Sequence, residues 1–531
     1  MKNIFKYIVL IAGVALCAVS CDKFLDTMPD NRTEIDSPTK VKALLVSAYP
    51  TRHYALFAEL LSDDCDDNGA VVSNNSPGRY YEQIWNWQDI TETANDSPDN
   101  VWTNNWGCIA AANQALEAIE ELGGKDNPEL SASYGEALIC RASAHFTLVN
   151  LFCLTYNPAT AATDQGIPYM EEPEKSLNPK YERGNVADVY AKIDRDVEEG
   201  LKYIGDEYNV PKYHFTRQAA YAFATRFYLF YQKYDKAIEC ANACLGSAPA
   251  NLLRNYDEMQ ANYGNITDAS IAYVSSDVKS NLLLQTNMSS MFAYFFRNYS
   301  GSYKRFGFNT KIAETEVFYA KSPWAPDGLT ASGYRWRPRN YNSSNLHYTL
   351  LWKIPSLFEY IDPVAGNGYR QTIVASFTAD EVLLERAEAY VLSGNYQAAV
   401  DDLNMWAKNF YVSPTVMTPA SIREFYAGVP YYTWIDPTSK RHLNPAFEID
   451  SEGSVQEAMI HAVLNAKRIE NFAYGMRWLD IKRYGIKIYR RFSDANAYID
   501  HISDSLDVND LRRAIQVPQR ARDAGLEPTK R

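Results

Sequence analysis

The residues that could do chemistry come first. Ser62-Asp63-Asp64-Cys65-Asp66-Asp67-Asn68-Gly69 is the densest acidic run in the chain. Carboxylates and carbonyls at such density can hold calcium. The run lacks the full spacing and terminal Glu of an EF-hand loop, so it reads as the solvated end of a helix running into a loop. Acid pairs of the kind that hydrolyse glycosidic bonds occur throughout. There is no Gly-x-Ser-x-Gly elbow, no His-Glu-x-x-His and no Gly-x-x-x-x-Gly-Lys-[Ser/Thr] loop. The seven histidines are scattered, and His145 lies inside an apolar helical pattern as a core residue. Neither a catalytic constellation, a metal site nor a cofactor site is expected.

Binding chemistry has better candidates. Tyr80-Tyr81-Glu82-Gln83-Ile84-Trp85-Asn86-Trp87-Gln88-Asp89 places Trp85 and Trp87 two apart. In an extended segment both would point the same way, with Gln83, Asn86 and Asp89 supplying hydrogen bonds to hydroxyls. A second cluster is Trp324-Ala325-Pro326 with Tyr334, Arg335 and Trp336. Flat aromatics beside amides and Arg suit sugar rings. The ligand-binding expectation therefore names Tyr80, Tyr81, Trp85, Trp87, Trp324 and Trp336. The competing use of such rings is to wedge loops onto helices.

Composition narrows the class. The chain has 531 residues, 46% of them hydrophobic, with 39 Tyr, 22 Phe and 10 Trp. That is enough to bury a large core. A formal charge of −13 argues against nucleic acid or anionic lipid as a partner. Residues 1–20 form a secretory signal: Lys2 and Lys6 precede an apolar stretch from Tyr7 to Val19, too short to cross a bilayer core of ~30 Å. Its end, Ala18-Val19-Ser20-Cys21, resembles a lipobox, which implies cleavage before Cys21 and a lipid on its sulfur. Several acyl chains anchor a protein stably where one does not. Six later cysteines, Cys65, Cys108, Cys140, Cys153, Cys240 and Cys244, form no CxxC and have no His spaced for zinc. Cys240 and Cys244 lie one helical turn apart, a poor geometry for a disulfide.

The elements that must position these residues are mostly helical. Residues 21–38 read as a lipidated tether that docks through Phe24 and Leu25. Residues 39–531 read as a single domain. Apolar periodicity predicts helices near 39–62, 101–122, 129–154, 184–205, 215–232, 234–246, 380–394, 396–410 and 455–485. The helical blocks span about 39–250 and 356–485. Between and within them, the stretches of about 251–355 and 411–455 are loop-rich inserts, where binding residues concentrate. Two segments share a local pattern: Leu229-Phe230-Tyr231-Gln232-Lys233-Tyr234-Asp235-Lys236-Ala237 and Val391-Leu392-Ser393-Gly394-Asn395-Tyr396-Gln397-Ala398-Ala399. Each closes a helix, turns tightly, and opens the next helix with Tyr-x-x-Ala. That is the pattern of a tetratricopeptide-like hairpin.

With these pieces in order, the chain resembles the SusD/RagB family of outer-membrane lipoproteins. The resemblance rests on Cys21…Phe24-Leu25-Asp26…Pro29-Asp30-Asn31-Arg32, on Trp102 to Asn113 (Trp-x-x-x-[Trp/Tyr]…Asn) and on Glu136-Ala137-Leu138-Ile139-Cys140-Arg141-Ala142. Its strongest segments are Asp380-Glu381-Val382-Leu383-Leu384-Glu385-Arg386-Ala387-Glu388-Ala389-Tyr390 and Phe472 to Gly485. The C-terminus departs from the family: Arg520-Ala521-Arg522-Asp523-Ala524-Gly525 lacks the usual Asn-Pro-rich tail. The resemblance implies four tetratricopeptide-like repeats carrying irregular inserts. It also implies a SusC-like TonB-dependent transporter barrel as partner, an outer-membrane location through the lipid, and an oligosaccharide ligand (in some relatives a peptide). A lipid-anchored scaffold or adhesin for protein partners is the alternative. Arg386, Glu388, Arg477 and Asp480 read as structural salt-bridge residues, with Arg477 and Asp480 spaced to pair along one helix.

Overall fold

Turn chemistry and apolar periodicity divide the chain as follows in a computed structural model, which describes residues 35–69, 78–176, 179–295, 304–326, 337, 338, 340–342, 349–494 and 498–531. The signal segment and Cys21 lie outside the described residues, as do most of the tether and Tyr334, Arg335 and Trp336 of the second aromatic cluster.

The first half is helical. It runs α1 (Pro38–Leu45), α2 (Ala55–Leu61), α3 (Arg79–Trp85), α4 (Pro98–Glu121), α5 (Ser131–Phe152), α6 (Val186–Tyr203), α7 (Arg217–Phe230) and α8 (Tyr234–Leu245). The loop-rich insert holds the short helices α9 (Tyr256–Asn262), α10 (Ile266–Tyr273), α11 (Met291–Phe295) and α12 (Thr310–Thr315). Helices then resume as α13 (Ala379–Leu392), α14 (Tyr396–Phe410), α15 (Pro419–Ala427), α16 (Val455–Glu470), α17 (Met476–Arg483) and α18 (Gln519–Asp523). Most of the long helices, though not α5 or α8, start where the sequence supplies a side-chain cap. Ser97, Asn185, Thr216, Thr378, Asn395 and Ser454 each accept a backbone N–H from the first turn of the helix that follows.

These helices stack as hairpins, α4 on α5, α5 on α6, α7 on α8 and α13 on α14, and α13 also packs on α8 and α16. The fold is therefore mostly α on a tetratricopeptide-like scaffold. The shared hairpin pattern has a backbone basis. Gln232 (φ 62°) and Gly394 (φ 77°) occupy the same turn position in the left-handed region. Ala237 and Ala399 are fully buried where the paired helices approach.

Short sheets join the inserts to this scaffold. β1 (Asp66–Asp67), β3 (Phe306–Gly307), β8 (Ile488–Ser493) and β9 (Ile499–Leu506) form one sheet in the order β3-β1-β8-β9, while β2 (Asn281–Met288), β6 (Leu357–Asp362) and β7 (Asn367–Thr378) form another in the order β2-β7-β6. A third pairs β4 (Asn340–Asn342) with β5 (Thr349–Leu351). Residues 357–378 are thus a hairpin, where periodicity placed the start of a helical block. β-branched and aromatic residues prevail there and Gly366 turns the chain at φ 68°.

The acidic run differs most from its sequence reading. Asp63, Asp64, Asp66 and Asp67 are buried, not solvated, and arginines occupy their carboxylates in place of calcium. Arg477 pairs with Asp63 at 2.8 Å, Arg468 with Asp64 at 2.7 Å and Arg491 with Asp66 at 2.7 Å. Arg441 reaches Asp63 at 2.7 Å and Arg491 reaches Glu316 at 2.6 Å. Buried charges persist only when paired and hydrogen-bonded. This network pins the insert, α16, α17 and β8 to the end of α2. The expected Arg477–Asp480 helix pair does not form: Asp480 goes instead to Lys467 and Arg483, at 3.0 and 3.2 Å. Arg386 pairs with Asp402, and Glu388 with Lys467 and Arg483.

The turn between α16 and α17 requires Gly475. It sits at φ 79°, and a Cβ there would stand 2.9 Å from Ala55 Cα and from Ala58 Cβ. The six described cysteines are free and buried.

Candidate functional site

The aromatic cluster around Tyr80 does not form a platform. Residues 79–85 are helical, so Trp85 and Trp87 do not alternate on an extended strand. Trp85 is buried, stacks on Phe306 at 4.9 Å between ring centroids and donates its indole N–H to Cys65 O at 3.1 Å. Trp87 takes φ 52°, donates to Leu61 O at 3.0 Å and lies 3.7 Å beneath the Arg490 guanidinium. Tyr80 is buried with its hydroxyl donating to Asp96 O, and half-buried Tyr81 stacks on Tyr294 at 4.8 Å. Trp324 is buried too, donating to Asn404 Oδ1 at 3.2 Å and meeting Trp406 edge-on. Tyr80, Trp85, Trp87 and Trp324 therefore hold loops to helices, and their ring faces are taken by protein.

A groove elsewhere has the size and lining of a ligand site. It measures about 760 Å³ and opens between α4, the loop residues 168–174 and 179–181, and α18. Cavities of ~300–1,000 Å³ are usual for small ligands. Its floor is one stripe of α4: Trp102, Trp106, Ile109, Ala110 and Asn113, recurring every three or four residues. Trp102 and Trp106 meet at 64° with centroids 5.5 Å apart. Trp102 is buried and Trp106 half-buried, so Trp106 is the one of the two indoles with surface left for a ligand. Gly107 also lines the groove, and a Cβ there would meet nothing within 4 Å.

The loop wall is built by buried polar contacts. Asn113 donates to Met170 O at 3.1 Å and to Glu172 O at 3.3 Å. Arg141 donates to Glu171 O and to Asn113 Oδ1, and its other nitrogens grip Asp196 at 2.6 and 2.9 Å. His145 stacks on Tyr169 at 3.8 Å and accepts the Met170 N–H on Nε2 at 3.1 Å. Its Nδ1 then carries the proton and donates to Arg141 O at 2.8 Å. Burial pushes the His145 pKa down to about 3, which keeps this neutral tautomer. Burial alone would raise Glu171, yet bonds from Lys192 and Arg195 hold it below the ordinary carboxylate range. Tyr181 hydrogen-bonds Glu174 at the groove edge, and its hydroxyl is raised, first by burial and then by that carboxylate.

The third wall is the C-terminal segment that departs from the family pattern. Ala521, Asp523, Ala524 and Leu526 face the groove. The segment is tied down at both ends. Arg520 pairs with Asp99, Arg183 donates to Thr529 Oγ1 at 2.9 Å, and Arg531 pairs with Asp89 at 2.6 Å. Sequence reading quoted Trp102 to Asn113 as a family marker without making it a site. The Trp-x-x-x-Trp spacing, which puts two indoles on one helical face, is the signal that could have found it.

Comparison with known proteins agrees with this architecture. Residues 23–229 match the SusD-like family described as "Starch-binding associating with outer membrane". None of the curated proteins matches the chain in sequence. In fold it is similar to a SusD superfamily protein from Bacteroides thetaiotaomicron VPI-5482, at 16% identity and TM-score 0.63, covering 93% of this chain and 100% of that one. A SusD-like carbohydrate binding protein from Bacteroides vulgatus ATCC 8482 superposes at 14% identity and TM-score 0.60, covering 92% and 96%. A SusD superfamily protein from Bacteroides fragilis does so at 18% identity and TM-score 0.56, covering 92% and 98%.

Proposed function

We propose that this chain, which matches a SusD-like family model over residues 23–229 and is similar in fold to SusD superfamily structures over nearly its whole length, works as a nutrient-binding lipoprotein of the cell surface. It captures oligosaccharide and hands it to a TonB-dependent transporter barrel of the SusC type. It binds without cleaving. Cys21 carries the lipid that holds it at the outer membrane.

The observation that carries the reading is the α4 groove. A sugar chain needs an aromatic face for its C–H surface and convergent polar groups for its hydroxyls. Trp106 and Tyr181 supply the first, and Glu172, Glu174, Lys180 and Asp523 the second. The printed description of the matching family points to the same ligand class.

The test is direct. Affinity for an oligosaccharide pool is measured by calorimetry for the parent, Trp106→Ala and Gly107→Trp, each with its melting temperature. Loss of a stacking ring contributes roughly 1–3 kcal/mol on the scale measured for bases, so Trp106→Ala should weaken binding about tenfold or more. A Cβ at Gly107 would meet nothing within 4 Å, so Gly107→Trp has room to leave the helix on the groove side and should abolish binding while the protein still melts like the parent. Undiminished affinity in Gly107→Trp would remove the groove from consideration. Anchoring is checked separately: Cys21→Ala should leave the membrane fraction.

A further inference from the structure

The charges around the groove are unequal, and that inequality bears on its ligand. Among the described residues, three carboxylates line it, Glu172, Glu174 and Asp523, against one ammonium, Lys180. Of the other basic groups nearby, Arg520 on α18 pairs with Asp99, and Arg522, whose buried Nε has no hydrogen-bond partner, is not among the groove-lining residues. Arg141 is committed to Asp196, Lys192 and Arg195 to Glu171, and Lys175 to Glu117 at 3.3 Å. Arg183 points to backbone carbonyls and Thr529, away from the cleft. The three carboxylates come from two separate walls. Glu172 and Glu174 stand on the loop, while Asp523 stands on α18, so a ligand lying over Trp106 meets negative charge from both sides.

Resting on the reading of this groove as a sugar site, we propose that it selects oligosaccharides by charge. It takes amine-bearing chains in preference to neutral ones, and it excludes uronate-bearing or sulfated ones. The physical ground is local. Anionic sugars in the groove would face Glu172, Glu174 and Asp523 with no guanidinium among the described lining residues to receive them. A bidentate Arg is the usual receiver of a carboxylate or sulfate. A protonated amino sugar meets the opposite situation: carboxylates accept its N–H groups while the aromatic floor carries its ring and adds a cation–π contribution. Surface charges are screened over ~8 Å at physiological ionic strength, so the selection is a matter of fold preference that weakens in salt.

The experiment uses the full chain in detergent on a glycan array. The array carries neutral, amine-bearing, uronate-bearing and sulfated oligosaccharides of many linkages, and it is read at low and high salt. Three proteins are compared: the parent, Gly107→Trp, and the triple variant Glu172→Gln, Glu174→Gln, Asp523→Asn. The parent should hold amine-bearing chains about tenfold more tightly than anionic ones of equal length, with the ratio shrinking in high salt. The triple variant should hold amine-bearing and anionic chains alike, at an unchanged melting temperature. Anionic chains bound by the parent as well as amine-bearing ones would overturn the charge selection alone, leaving the sugar site standing. A parent that retains no more glycan than Gly107→Trp would overturn the sugar site itself, and the selection with it.

Discussion

The guanidinium of Arg477 meets the carboxylate of Asp63 side-on, with Nε and Nη2 each 2.8 Å from an oxygen. The two residues are 414 positions apart, so this contact closes the C-terminal helices onto the start of the domain. Asp63 also takes Arg441 and lies near Arg468. Burial alone would raise its pKa; the three arginines hold it well below the carboxylate range. Removing one partner of a buried pair leaves an uncompensated charge and typically costs about 3–5 kcal/mol. Asp63→Asn is expected to destabilise the fold by that order in denaturant melts. Because its folded pKa is depressed, Asp63 contributes stability above the unfolded value of 3.8, lost as pH falls below it. The variant should therefore show a flatter acid limb than the parent.

Trp85 and Trp87 behave as core residues in this structure. Replacing either by Ala removes a buried indole and a hydrogen bond to a backbone carbonyl. Loss of a core Trp costs about 3–5 kcal/mol. Each variant is expected to melt lower than the parent, and its folded fraction should keep the parent's ligand affinity. Weaker binding at an unchanged melting temperature would return these residues to the ligand site.

Acid should loosen the groove wall through His145. Its folded pKa of about 3 lies far below the ordinary 6.5, as does that of buried His53. A depressed histidine stabilises the fold fully above the unfolded pKa. That stability is lost as pH falls from 6.5 toward about 3, because the unfolded chain binds the proton first. Protonation on Nε2 would also break the bond from Met170 N–H that holds this part of the loop wall. The protection factor of the Met170 amide should fall toward the acid end of that window, before global unfolding. His145→Gln should move the onset.

The two equivalent hairpin turns give a backbone test. Gly394 sits at φ 77° with open space where a Cβ would go, so Gly394→Ala probes conformation alone. A left-handed L-residue costs roughly 1–2 kcal/mol, and a loss of about that size is expected. Gln232 already bears this cost at φ 62°. Gln232→Gly should regain part of it, less the side chain's 3.3 Å bond to Tyr156 O. Equal stability of Gly394→Ala and the parent would refute the backbone account.

What the sequence determined by itself was local or repetitive. Helical period and the paired Tyr-x-x-Ala turns placed most long helices to within a few residues. The family resemblance stood on ordered helical motifs, which the match over residues 23–229 and the fold comparisons bear out. What tertiary structure decided was where each charge and ring went. Asp63 to Asp67 read as solvated because a run of like charges cannot be buried alone; only the arrival of Arg441, Arg468, Arg477 and Arg491 from distant elements makes burial affordable. Trp85 and Trp87 read as a platform because periodicity cannot tell an exposed ring from one covered by Phe306 or Arg490. The groove was legible in part: Trp102, Trp106 and Asn113 share a helical face by spacing alone. Its remaining walls come from residues about 60 and 420 positions further along, and no local pattern reports which distant segments a helix face will meet.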